Sequence, residues 1–407
     1  MQGGAMQLAP RITQWALLGV LVVNALPLRM TDALWAEDDP ATVQVPAPSG
    51  PYGVGTLWLR LVDTARNDPF LHDGSKRELM VRFWYPALRV RGCPPAEYAS
   101  PKVWANVSEL MGMPSLTVRT NSCANLPVLM GRHPVILVSH AYTGMFTDYT
   151  FLLEDLASRG YVVASVAHTY ETTAAEFPDG RLLTSALGSQ YAEGTLQTDQ
   201  QSLQFAMSIR TRDLAFVVAE LERLDAGGSP FAGKLDLRRT GIVGHSMGGD
   251  TAMTSLGQLV EVKAAVLLDP ALLSPLSTRG TEKPLLLVSE GREEWSEAEC
   301  ELWSRLRGPH VALIFRGAEH MTSSDAVWLG FYVPGLHVET GTMGPEVTIS
   351  AIRDYVADFF DAYLSGKPPG LLLNGLSTKY ADVRVTTRTH ALCGQAPPGP
   401  QRAMLRP

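Results

Sequence analysis

No stretch of twenty uninterrupted apolar residues occurs in this chain, so no segment has the length of a full membrane span. Charge is sparse, at 18% of residues, and no block of one sign builds up. A formal balance of -7 offers no footprint for a polyphosphate, so nucleic acid is not an expected partner. Cysteine is scarce too. The four present (Cys93, Cys123, Cys300, Cys393) show no CxxC or Cys/His spacing, which argues against zinc, and neither a metal nor a cofactor is expected. What remains is a chain that is 45% apolar, too hydrophobic for disorder and without the composition of a coiled coil. Its 407 residues suffice to bury a large core without a metal or disulfides.

The N-terminus has its own pattern. Arg11 precedes an apolar run of 14 residues, Trp15 to Leu28, broken by Asn24 and Pro27. Small residues follow (Ala33-Leu34-Trp35-Ala36), then Glu37-Asp38-Asp39. The order basic, apolar, small reads as a secretory signal over residues 1–36, cut after Ala36 or, second, after Ala25. A short membrane anchor is the alternative. Export implies an oxidising compartment, in which Cys93 and Cys123, flanking one Pro-rich stretch, are the favoured disulfide pair. Four buried free thiols are the competing reading.

Residues 37–54, rich in Pro and Gly, read as a linker to a domain spanning 55–366, with a tail over 367–407. Gly55 to Asp63 and Glu78 to Tyr85 have strand character, and Asp73-Gly74 between them predicts an antiparallel pair. Residues 86–132 read as a loop-rich insertion with one helix near Val103 to Met111. From 134 onward, short continuous apolar runs alternate with helical spacing. Strands are expected at Val135–Ser139, Tyr161–Val166, Thr240–Val243, Ala264–Leu268, Pro284–Ser289 and Val311–Phe315. Helices are expected at Tyr149–Arg159, Ser202–Leu224, Ser246–Gly257, Glu297–Arg307 and Ile349–Leu364. The polar stretch 169–200 reads as a surface loop or lid. This alternation predicts an α/β fold with a mostly parallel central sheet, an antiparallel strand pair at its N-terminal end and helices on both faces. Chemistry in such a sheet sits just beyond the carboxyl ends of the strands.

Gly244-His245-Ser246-Met247-Gly248-Gly249 follows an apolar strand and opens a helix, the setting of a nucleophile elbow and hence of the α/β-hydrolase fold. A serine hydroxyl needs a base, and in this fold the order along the chain is serine, acid, histidine. Asp269 ends the next strand; Glu290 and Asp325 are rival acids, Glu290 the stronger. His320 follows the last core strand in a Gly-led loop, whereas His337 lies further off. His245 reads as packing, and His133, His168 and His310 carry no assigned role. The backbone N–H groups of Met247 and Tyr142 are the candidate oxyanion donors, Tyr142 standing in the loop after the first buried strand.

With these residues in place, the chain resembles the platelet-activating factor acetylhydrolase family over about residues 50 to 365. The matching segments are RELMVRFWYP (77–86), HPVILVSHAYTG (133–144), LASRGYVVASVAH (156–168), GHSMGG (244–249), LLDP (267–270), PLLLVSE (284–290) and GAEHMTSSD (317–325). The resemblance implies Ser246 as nucleophile, Asp269 rather than Glu290 as acid, His320 as base, and Tyr142 and Met247 as oxyanion donors. It also implies calcium-independent hydrolysis of the sn-2 acyl ester of platelet-activating factor and of phospholipids with short or oxidised chains. One departure is Ala141, where the family commonly has glycine; a positive φ there would cost about 1 kcal/mol. Trp328 to Val333 could form an apolar lip that meets a lipid surface. The competing expectations are a general carboxylesterase or polyester hydrolase of the dienelactone-hydrolase type and, in another class, a non-catalytic binding module on a hydrolase scaffold.

Overall fold

Strands whose residues are apolar at every position need cover on both faces, and the fold supplies it. The computed structural model describes residues 41–113, 116–186, 200–273, 278–292, 294–332, 338–370, 372–387 and 393. The expected leader, 1–36, lies outside them. In chain order the strands are β1 (Ala41–Gln44), β2 (Gly53–Asn67), β3 (Lys76–Ala87), β4 (Pro95–Glu97), β5 (Leu116–Ala124), β6 (His133–Ser139) and β7 (Val162–Ala167). They continue with β8 (Ala174–Glu176), β9 (Leu182–Thr184), β10 (Leu235–His245), β11 (Val262–Leu268), β12 (Leu285–Glu290), β13 (His310–Phe315) and β14 (Val383–Thr386). The helices are α1 (Pro101–Met111), α2 (Thr150–Ser158), α3 (Gln200–Ala226), α4 (Met247–Gln258), α5 (Glu297–Arg305), α6 (Ala326–Leu329) and α7 (Pro345–Tyr363).

One sheet runs β1-β5-β2-β3-β7-β6-β10-β11-β12-β13-β14, with β4 beside β5. From β7 to β13 every pairing is parallel, as crossover helices require, while β2 pairs antiparallel with β3 and β3 with β7. This is the expected α/β-hydrolase architecture. Alternate residues of each core strand enter opposite cores. Ile136, Val138, Val243, Val266 and Val288 pack beneath α2 and α7; Val135, Leu137, Ile242, Ala265 and Leu287 pack beneath α3, α4 and α5.

Three segments are more ordered than the sequence reading has them. The stretch read as a linker contributes β1, parallel to β5, with Val43 and Val45 buried. The stretch read as a loop-rich insertion carries, besides α1, the strand β5 that pairs with β2. The tail returns as β14, antiparallel to β13. None of the three has a long apolar run, because each lies at or near a sheet edge where one face meets water. Both disulfides join distant segments: Cys93 to Cys123, with Cα atoms 6.1 Å apart, and Cys300 to Cys393, at 5.8 Å. Among the described residues no helix is long and apolar enough to cross a membrane.

Candidate active site

The elbow between β10 and α4 is built by close approach. Ser246 has φ 55° and ψ -120°, a conformation that L residues rarely adopt. The chain can turn this sharply only if the residues two places to either side lack side chains. A Cβ on Gly244 would lie 1.9 Å from the Gly248 carbonyl oxygen, and one on Gly248 would lie 2.0 Å from that of Ser139. The absent methyl at Gly248 thus lets the end of β6 lie against the first turn of α4. The Ser246 N–H donates to the Leu268 carbonyl at 3.0 Å, which ties the elbow to the end of β11. Ser246 sits at the N-terminal end of α4, where the field of the helix favours a developing negative charge.

Asp269 follows β11 directly. Its Oδ2 is 2.6 Å from His320 Nδ1. Its Oδ1 accepts from the Glu290 N–H at 3.2 Å and from the Arg292 guanidinium. Burial pushes this carboxyl up, but the His320 hydrogen bond and the Arg292 charge outweigh it and hold Asp269 below the ordinary carboxylate value. The rival acids stand differently. Glu290 is forced well above its ordinary value by burial and by the Asp269 charge, and Ser323 Oγ donates to it. The two neighbouring carboxyls thus shift in opposite directions, Glu290 up and Asp269 down. Asp325 accepts from the Thr150 and Phe151 N–H groups, from Tyr98 and from the Trp328 indole, which anchors the start of α2.

His320 lies in the loop after β13, with its side chain 19% exposed. Among the described residues no hydrogen bond joins Ser246 Oγ to the imidazole; in hydrolases that use a serine and a histidine such a contact is often long before substrate binds. The two loops are instead tied through His245, which by sequence alone reads as packing. Its Nε2 lies 2.7 Å from the His320 carbonyl oxygen, an obligatory acceptor, so Nε2 carries the proton. Nδ1 then accepts from the Tyr149 hydroxyl at 2.9 Å, and that hydroxyl accepts from the Ala141 N–H at 3.1 Å. Burial, with His320 nearby, takes His245 down to about 3, so this relay stays neutral. No sequence signal separates such a histidine from one that merely fills space, since the distinction rests on partners 96 and 75 positions away.

Tyr142 occupies the loop between β6 and α2. Ala141, the departure from glycine, takes no positive φ; the left-handed position is Thr143, at φ 57°, so the anticipated cost at Ala141 does not arise. Met247 opens α4 beside the serine. Around them Leu203, Ala206, Met207 and Met247 form an apolar cluster joined by Tyr142 and Leu273. The anticipated lip divides. Trp328 and Leu329 are buried, whereas Phe331 and Tyr332 are exposed, and Val333 and His337 lie outside the described residues. Of the stretch read as a lid, the part to residue 186 is described and carries the β8–β9 hairpin. Among the described residues no group of His, Cys, Asp and Glu has the makings of a metal site.

The chain is similar to known ester hydrolases. The family model described as platelet-activating factor acetylhydrolase, isoform II, matches residues 39–220 and 195–365. A probable 1-alkyl-2-acetylglycerophosphocholine esterase of Arthroderma benhamiae is 25% identical over 91% of this chain and 99% of its own length. The platelet-activating factor acetylhydrolase of Cavia porcellus is 24% identical over 56% of this chain and 55% of its own. Among solved structures, a ferulic acid esterase from Streptomyces cinnamoneus superposes with a TM-score of 0.72 at 32% identity, over 84% of this chain and 99% of its own. The chain is thus an ester hydrolase, and it belongs to the platelet-activating factor acetylhydrolase, isoform II, family.

Proposed function

We propose that this protein is an exported, calcium-independent serine esterase that cleaves short or oxidised acyl chains from the sn-2 position of phospholipids resembling platelet-activating factor. Ser246 attacks the ester carbonyl while His320 takes its proton, and Asp269 holds the imidazole and balances its charge. The tetrahedral oxygen is met by the N–H groups of Met247 and Tyr142. His320 then hands its proton to the leaving alcohol, and water repeats the cycle on the acyl-enzyme. The observation that carries this reading is the 2.6 Å contact of Asp269 with His320 Nδ1, which leaves Nε2 as the imidazole's reactive edge. The named relatives that act on 1-alkyl-2-acetylglycerophosphocholine support the substrate class.

The likeness to a ferulic acid esterase favours a second reading, a general carboxylesterase with the same triad. A substrate panel separates the two. The first reading expects the highest kcat/KM on short-acyl phospholipids, undiminished by EDTA; the second expects it on aryl or simple alkyl esters. Under either reading Ser246→Ala lowers kcat by roughly 10⁴–10⁶ with folding intact. A purified Ser246→Ala protein that still hydrolyses esters would refute both.

A further inference from the structure

Behind the loop that carries Tyr142 lies a guanidinium with no part in the triad. Arg210, on α3, is fully buried. Its Nε pairs with Glu171, its Nη1 donates to the His140 carbonyl at 2.6 Å, and its Nη2 reaches the Ala141 carbonyl at 3.4 Å. We propose that Arg210 is the positioning residue of the oxyanion hole, fixing the peptide planes that aim the Tyr142 N–H at the reacting carbonyl. The proposal rests on the serine esterase reading above.

The argument starts from the planarity of the peptide bond. A trans peptide sends its C=O and the next N–H in opposite directions. Holding the His140 carbonyl toward Arg210 therefore turns the Ala141 N–H away from it, and that N–H is found donating to Tyr149. Holding the Ala141 carbonyl toward Arg210 turns the Tyr142 N–H away in the same manner. The Ala141 carbonyl is gripped further by His140 Nδ1–H at 2.7 Å and by the Gly144 N–H at 3.1 Å. Two carbonyls of successive residues would point to opposite sides of an extended strand; here both face one fork, which demands a turn. The turn continues through Thr143, with its positive φ, and is braced from the far side. Thr173 Oγ1 donates to the Thr143 carbonyl, and the Thr172 hydroxyl and Thr173 N–H donate to that of Gly144. A guanidinium suits this task because its planar fork presents donors along separate edges, one to Glu171 and two to carbonyls. Its positive charge at the carbonyl ends also polarises both peptides, leaving the Tyr142 N–H more positive where an oxyanion would sit.

Two variants test this with a p-nitrophenyl ester and with phenylboronic acid, whose tetrahedral adduct on a serine places an oxygen in the oxyanion hole. Arg210→Lys keeps a charge for Glu171 but cannot span both carbonyls. Arg210→Met combined with Glu171→Gln removes both charges and avoids an unpaired buried ion. Each is expected to lower kcat roughly 10²–10³-fold, the scale of losing one oxyanion donor. KM should stay within about threefold, and affinity for the boronate should fall in parallel with kcat. A purely structural role would lower the amount of folded enzyme without that split. Should the double variant not fold, Arg210→Lys decides. Folded variants with kcat and boronate affinity within about threefold of the parent would overturn the proposal. If the parent hydrolyses no ester, or Ser246→Ala stays active, the underlying reading has failed instead.

Discussion

Asp269 and Glu290 lie at the ends of neighbouring strands; burial raises both, but the His320 hydrogen bond and Arg292 bring Asp269 below its ordinary value, whereas the Asp269 charge pushes Glu290 further up. The His320 contact falls to Asp269. Asp269→Asn is therefore expected to lower kcat by roughly 10³–10⁴-fold. Glu290→Gln, at a carboxyl that does not hold the imidazole, should cost less than about tenfold, and steady-state kinetics on one ester separates the two. Asp148 gives a second residue-level test. Burial, with Asp325 close by, raises it to about 7 in the fold, so its unfolded form gives up its proton at lower pH. By linkage its burial is harmless near pH 4 and increasingly destabilising as pH rises toward 7. Asp148→Asn should leave the melting temperature unchanged at pH 4 and raise it at pH 8. Equal shifts at both values would contradict the assignment.

Helix α4 shows how one element contains both a demand for glycine and an indifference to it. At Gly248 a Cβ would strike the Ser139 carbonyl, which is backbone and cannot yield. Gly248→Ala should therefore destabilise the protein by about 1–3 kcal/mol or more and abolish activity through displacement of the loop after β6. Gly257, near the end of the same helix, has nothing within 4 Å of such an atom. Gly257→Ala should stabilise by about 0.5–1 kcal/mol with kcat unchanged; denaturant titration measures both. The core elements were legible in the sequence for the same reason that they are rigid. Strands such as β6, β10, β11 and β12 are covered on both faces and read as continuous apolar runs, and the sharp turn after β10 can only be made with glycines. The edge strands β1 and β14, and β5 next to β1, were not legible, because their partners, not their composition, make them strands. The triad candidates could be read from their places after strands. Arg210, Tyr149 and the relay through His245 could not, since a buried arginine on α3 bears no local mark of the carbonyls it will meet.

For the molecule as a whole, one continuous sheet brings distant segments together, and two disulfides fasten others to one another. The Cys300–Cys393 bridge spans 93 residues and Cys93–Cys123 spans 30, so chain entropy assigns about 4–5 kcal/mol to the first and about 3–4 to the second. Replacing Cys300 and Cys393 by serine should lower the melting temperature more than replacing Cys93 and Cys123. The same long-range organisation puts Ser246, Asp269 and His320 after three different strands of one sheet, and the proposed chemistry depends on that meeting. Its most direct test is to inhibit the enzyme with a fluorophosphonate ester and map the adduct by mass spectrometry, on the parent and on Asp269→Asn. The account predicts one phosphonyl group, on the peptide containing Ser246, acquired in step with loss of esterase activity and far more slowly in Asp269→Asn. Full esterase activity with Ser246 unmodified, or an inactivating adduct on another residue, would contradict it.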